Sequence, residues 1–147
     1  MEHEEYMRQA LELARLAMAE GEVPVGCVIV RDGAVVGRGR NRRETAQTAL
    51  GHAELEAIAQ ACRTLGGWRL AGCALYVTLE PCPMCAGAIV NARIPAVYYG
   101  AKDDKAGCCG SVLNLFEERF NHHPRIYGGV LEAECSALLQ SFFQNLR

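Results

Sequence analysis

The chain has no apolar run approaching the roughly 20 residues that span a bilayer, and its start, Glu2-His3-Glu4-Glu5, is acidic where an export signal would be basic and then apolar. Neither a membrane span nor a leader is expected, and a cytoplasmic protein is. Charge of one sign is also missing. Fifteen Lys and Arg stand against 17 Asp and Glu, leaving a net charge of −2, so any contact with nucleic acid has to come from a local basic patch. No repeat, low-complexity tract or linker breaks the sequence. A chain of 147 residues, half of them hydrophobic, suits one sizeable core, and one domain over 1–147 is expected. The eight cysteines would form a disulfide framework in a small secreted chain, but several lie inside apolar, regularly patterned segments, and reduced thiols are the better reading.

What is present alternates strand and helix. Met7, Ala10, Leu11, Ala14, Ala17 and Met18 recur at helical spacing, which predicts an amphipathic helix over 3–20 ended by Gly21. Val25–Val30 and Val35–Arg40 are β-rich runs joined by Arg31-Asp32-Gly33-Ala34, a hairpin signal. Residues 41–51 lose all periodicity and read as a loop. Leu55, Ile58, Ala59 and Cys62 then predict a helix that Gly66-Gly67 ends. Ala74–Leu79 reads as a strand, Pro83 to about Ala92 as a helix with Pro in its first turn, and Val97–Ala101 as a strand. Further expectations are a helix around Val112–Phe120, a short strand over Ile126–Val130, and a last helix with Cys135, Leu138, Leu139, Phe142 and Leu146 on one face, Glu132 and Glu134 in its first turn and Arg147 at its end. This order describes a central sheet with helices packed on it, an α/β class.

Two short motifs carry the chemistry. His52-Ala53-Glu54 opens one predicted helix and Pro81-Cys82-Pro83-Met84-Cys85 opens the next, with Cys82 at 30 positions beyond His52. Cys82 and Cys85 are three apart, so both sulfurs share one face of a first turn, where the helix dipole favours thiolate. Soft sulfur with imidazole selects zinc. Three ligands leave the fourth position to water, the arrangement of a catalytic site, in which the metal brings the water's pKa towards neutrality. Glu54 is then the proton carrier, base towards the water and acid towards the ring nitrogen and departing ammonia. Residues two apart on a helix point in nearly opposite directions, so His52 and Glu54 share a site only if His52 lies at the frayed start. Taken singly, the motifs are weak: a CxxC can be a redox pair or half of a structural zinc site closed by Cys108-Cys109, although that site would leave Glu54 idle.

Together these residues resemble the signature of the cytidine deaminase superfamily. The chain is similar over nearly its whole length to bacterial tRNA adenosine deaminases, through Val23-Pro24-Val25-Gly26, Asn41-Arg42, the run Leu75–Cys82, Met84–Ala88, Asn121-His122 and Glu134-Cys135. The resemblance implies a three-layer α/β/α fold on a five-stranded mixed sheet, one zinc per chain, a homodimer, and editing of adenosine to inosine at the wobble position of a tRNA anticodon loop. It implies that Asn41 bonds the target nucleoside, that the Ala53 backbone seats the base, and that Val25, Leu79 and Pro81 wall it. Asp103, Lys105, Asn121 and His122 match positions near the flanking nucleotides, and Arg69 matches another RNA-side position. Thr48-Ala49-Leu50-Gly51 departs from the Asp-Pro-Thr-Ala usual before the zinc histidine, and Cys108-Cys109 stands where small residues are usual.

Three functions remain in play. A tRNA editor would draw a basic surface from Arg38, Arg40, Arg42, Arg43, Lys102, Lys105, Arg119, His122, His123 and Arg125. A deaminase of a free base or nucleoside such as guanine or cytosine would use the same zinc chemistry in a closed pocket, and the acidic net charge suits it. A structural-zinc interaction module would need a fourth ligand and no Glu54.

Overall fold

In a computed structural model, which describes residues 2–146, the elements follow the order α1 (Glu2–Ala19), β1 (Gly26–Arg31), β2 (Ala34–Arg40), α2 (Ala53–Leu65), β3 (Cys73–Leu79), α3 (Pro83–Ala92), β4 (Ala96–Ala101), β5 (Arg125–Tyr127) and α4 (Glu132–Gln144). The five strands form one mixed sheet in the order β2-β1-β3-β4-β5. β1 is antiparallel to both neighbours, while β3, β4 and β5 run parallel. The architecture is α/β with a helix layer on each face. Cys27, Ile29, Leu75, Val77 and Val97 bury one side against α2 and α3; Val28, Val30 and Tyr76 bury the other against Met7, Ala10 and Leu11 of α1 and Cys135 of α4. Because β1 and β3 are covered on both faces, they carry continuous apolar runs rather than an alternating pattern. Among the described residues, no helix is long and apolar enough to cross a membrane.

The α2 stripe is the first place where structure departs from pattern. The expected apolar face was Leu55, Ile58, Ala59 and Cys62, yet Ala59 is exposed and the other three are half-buried. Ala53, Ala57 and Ala61 are the residues fully covered. The reason lies on β2. A Cβ on Gly39 would collide with the Ala53 carbonyl oxygen, and one on Gly37 with that of Ala57. Strand and helix backbones meet directly, and only glycine against alanine permits that approach. The first turn of α2 is thereby pressed onto the sheet.

Three other expectations are corrected. No α-helix covers 112–120: a single 3-10 turn, Leu115–Glu117, stands there, with the Asn114 side chain accepting from the Phe116 N–H at 3.1 Å. Backbone donors just upstream point to a buried carboxylate instead of up a helix. The fifth strand is Arg125–Tyr127, not 126–130, because Gly128 lies against the Tyr99 ring and Gly129 takes φ +85. In α4 only Cys135 is buried; Leu138, Leu139 and Phe142 are half-buried and Leu146 is exposed. Arg147, the expected charge at that helix end, lies outside the described residues.

Candidate active site

The two chemistry-bearing motifs meet because each begins a helix at the same end of the strands, where β2 and β3 finish. His52 is the N-cap of α2 with extended backbone, φ −94 and ψ 148. It therefore turns away from the helical path and can face the same space as Glu54. Cys82 is the N-cap of α3 and Pro83 its first residue, so the missing proline N–H costs nothing. His52 Nδ1 lies 3.6 Å from Cys82 Sγ and 3.4 Å from Cys85 Sγ, and one ligand atom from each of the three residues lies within 4.8 Å of the others. The cluster can hold a metal ion. Cys108 and Cys109 are buried but outside it.

Electrostatics separates the members. Hydrogen bonds from Cys85 and His52 hold the Cys82 thiol far below the ordinary range, at about 4. Cys85, which gives its proton to that bond and is itself buried, is pushed up. The Cys82 bond raises His52. Glu54 is 4% exposed, and burial lifts its carboxyl to about 7 against the opposing pull of His52 and of its own backbone amide. A buried carboxyl poised near neutrality beside a thiolate–imidazole cluster has the character of an acid–base group.

Above the cluster opens a cavity of about 200 Å³ lined by His52, Ala53, Glu54 and Cys82 together with Val23, Val25, Asn41, Arg43, Leu79, Glu80, Asp103 and Ala106. Of the expected substrate contacts, Val25, Asn41, Ala53, Leu79 and Asp103 are thus brought together. Pro81 is buried behind the wall and Lys105 is exposed beside it. Asn41, 7% exposed, donates from Nδ2 to the Val23 carbonyl at 3.1 Å and accepts the Arg43 N–H at 3.3 Å, which fixes its amide plane at the rim. Asn121 lies elsewhere, in a groove of about 500 Å³ between α2, α3 and the 3-10 turn, and His122 Nε2 is 2.7 Å from the Ile94 carbonyl. Arg69 lies over the Trp68 ring, 4.9 Å from its centroid.

Sequence reasoning passed over two buried glutamates at the rim. Glu22, 1% exposed, accepts the Glu44 and Thr45 N–H groups at 3.1 and 2.6 Å and so anchors the loop that carries Asn41 and leads to His52. Glu80, 2% exposed, accepts from Asp103, Cys109 and Ser111, and these bonds hold its pKa down against burial. For Glu80 the available signal was a charged residue at the end of an otherwise apolar run; Glu22, beside Glu20 and Gly21, carried none. The expected basic surface is also thinner than its residue count: Arg40 is paired in two bonds of 2.9 and 3.0 Å with Glu20, and Arg42 Nε stands 2.8 Å from Glu56.

Comparison with known proteins agrees with this geometry. The family model described as MafB19-like deaminase matches residues 1–147. A tRNA-specific adenosine deaminase of Bacillus subtilis is 52% identical over 143 residues, 97% of this chain and 89% of the relative. A solved structure from work on A-to-I editing by tRNA:A34 deaminases superposes with a TM-score of 0.88 at 44% identity, covering 91% of this chain and 98% of that one. The guanine deaminase of Bacillus subtilis superposes with a TM-score of 0.68 at 35% identity, covering 98% of this chain and 95% of the other.

Proposed function

The chain belongs to the MafB19-like deaminase family, within the cytidine deaminase-like proteins, and on that premise we propose that it hydrolytically deaminates adenosine to inosine at the wobble position of tRNA, as a single cytoplasmic deaminase domain with one zinc ion. The observation that carries the reading is the pairing of a buried Glu54, poised at about 7, with the His52-Cys82-Cys85 cluster on the floor of a base-sized cavity.

The donor set fits zinc on geometry as well as softness. Zn–S and Zn–N bonds of about 2.3 and 2.05 Å at a tetrahedral angle place nitrogen and sulfur about 3.6 Å apart, and the two N–S separations are 3.6 and 3.4 Å. When bound there, zinc supplies a Lewis acid that makes a water nucleophilic near neutral pH. The remaining work falls to the chain. Glu54 takes one proton from the attacking water and delivers it to the ring nitrogen, then carries the same oxygen's second proton to the departing ammonia. Asn41 bonds the nucleoside. Ala53, at the first position of α2, offers a backbone N–H without an intrahelical partner. Val25 and Leu79 wall the base, and Pro81, expected beside them, is buried outside the lining. Asp103 and Lys105 meet the flanking nucleotides, which arrive splayed from a single-stranded loop.

Asn121 and His122 sit outside their own cavity, and this supports a homodimer. The groove holding Asn121 is lined by Leu55, Met84 and Phe120; Leu55 follows Glu54, and Met84 lies between the two cysteines. A second copy seated on that groove brings each copy's Asn121 and His122 towards the other's site and covers Phe120, which is 48% exposed.

The test compares an anticodon stem-loop carrying a wobble adenosine with free adenosine, guanine and cytosine. The stem-loop is expected to be deaminated far faster than free adenosine, because contacts to flanking nucleotides contribute binding that a nucleoside lacks. The likeness to a guanine deaminase gives the competing outcome a definite form: rapid turnover of guanine with no inosine in the stem-loop would overturn the tRNA reading and keep the deaminase one.

A further inference from the structure

We propose that Glu80 is a positioning residue for the reaction: it hangs the wall formed by residues 103–111 over the cavity and thereby sets the affinity for substrate. The observation is a closed set of bonds. Oε1 accepts the Asp103 N–H at 3.1 Å and the Ser111 hydroxyl at 2.5 Å; Oε2 accepts the Cys109 N–H at 2.9 Å and the Ser111 N–H at 3.1 Å. Both oxygens are spent on one loop. That loop has no helix or strand of its own over 103–108, and its internal bonds run back to Asp103, whose Oδ1 accepts the Lys105 and Ala106 N–H groups and whose carbonyl accepts that of Gly107. Asp103 and Ala106 line the cavity. The wall is therefore an Asx-type turn suspended from Glu80.

Gly107 shows how closely loop and carboxylate fit. A Cβ there would run into the Glu80 carboxyl carbon and would lie 2.5 Å from Oε2 and 2.6 Å from the Asp103 carbonyl oxygen. No side chain can occupy that point while Glu80 stays where it is. The floor of the cavity is held independently: His52 and Glu54 ride on α2, pressed against β2, and Cys82 and Cys85 on α3. Losing the suspension should loosen the wall and leave the floor in place.

Three variants read this on the metal-loaded enzyme. Glu80→Gln places an amide NH2 against backbone donors. The expected result is a KM raised about tenfold or more, since misplacement of a wall by about 1 Å weakens every contact it makes, with kcat within about threefold of wild type. Zinc content should be unchanged, and amide exchange should accelerate selectively at Asp103, Cys109 and Ser111. Gly107→Ala should move KM the same way without altering the carboxylate, and Ser111→Ala, which removes only the hydroxyl donor, should have the smallest effect. The two last variants carry the test if Glu80→Gln does not fold. An unchanged KM with unchanged amide exchange overturns the proposal; so does a proportional loss of kcat and zinc, which would make Glu80 a general element of the fold. The inference rests on the deaminase reading but not on tRNA: the split is measured on the stem-loop if wild type edits it and on guanine if it does not, so the two failures are distinguishable.

Discussion

Floor and rim of the same cavity each carry a buried glutamate, Glu54 at 4% exposed and Glu80 at 2%, and the two have opposite electrostatics. Burial penalises the charged form of each, more heavily at Glu54 than at Glu80. At the rim, donors from Asp103, Cys109 and Ser111 satisfy the carboxylate, so the charge is retained and the group serves geometry. On the floor, Glu54 sits among Cys82, Cys85 and Cys27, with its own backbone amide as the donor that most opposes burial, so its proton affinity climbs to about 7. Burial alone does not make a proton carrier. Burial without a full set of donors does.

The comparison can be broken most severely on the floor. Cys85→Ala should remove a ligand that is 0% exposed and take metal and activity with it; elemental analysis showing about one zinc per chain in the variant would exclude Cys85 from the ligand set. Glu54→Gln should keep fold and zinc while the rate falls by about 10²- to 10⁴-fold, the usual worth of a positioned acid–base group, and near wild-type turnover would assign the proton transfers elsewhere.

Stability against pH sharpens the contrast, because the two glutamates have opposite signs. Glu54 has a folded value raised from 4.5 to about 7, so its contribution is complete below the ordinary value and is lost as pH rises through about 7. In metal-stripped protein, Glu54→Gln should therefore gain on wild type across that window, by up to about 3 kcal/mol in chemical denaturation. Glu80 has a lowered folded value, so its contribution is present above the ordinary value and lost as pH falls through the folded one. Glu80→Gln should cost about 2 kcal/mol at neutral pH, and the deficit should shrink in acid. Parallel pH curves for the two variants would remove the distinction. The smallest effect belongs to Lys105, exposed beside the rim: Lys105→Ala should flatten the slope of log affinity against log salt by about 0.7 for single-stranded RNA if it neutralises one phosphate.

Much of this was legible in the residues. The His52-Ala53-Glu54 and Pro81–Cys85 motifs, each at a helix start, named residues that the fold brings into one cluster beside one cavity, and the condition that His52 precede the helix was met by its extended backbone. Strands rich in β-branched residues and the Asp32-Gly33 turn located the first hairpin. The pattern of α2 was misread because alanine carries a weak apolar signal: Ala53, Ala57 and Ala61 face the sheet only because Gly37 and Gly39 stand opposite. The helix expected at 112–120 failed for a related reason, since Glu80, more than 20 residues upstream in sequence, captures the donors of the segment before it.

By itself the sequence determined the chemistry, the class of fold and the order of elements, since ligand types, helix starts and apolar runs act over a few residues. Only the tertiary structure decided that Glu80 spends its carboxylate on the segment 103–111 while Glu54 is left short of donors, and which predicted contacts share one cavity. Those outcomes depend on how many donors reach a buried carboxylate from distant segments, and local spacing carries no record of that number.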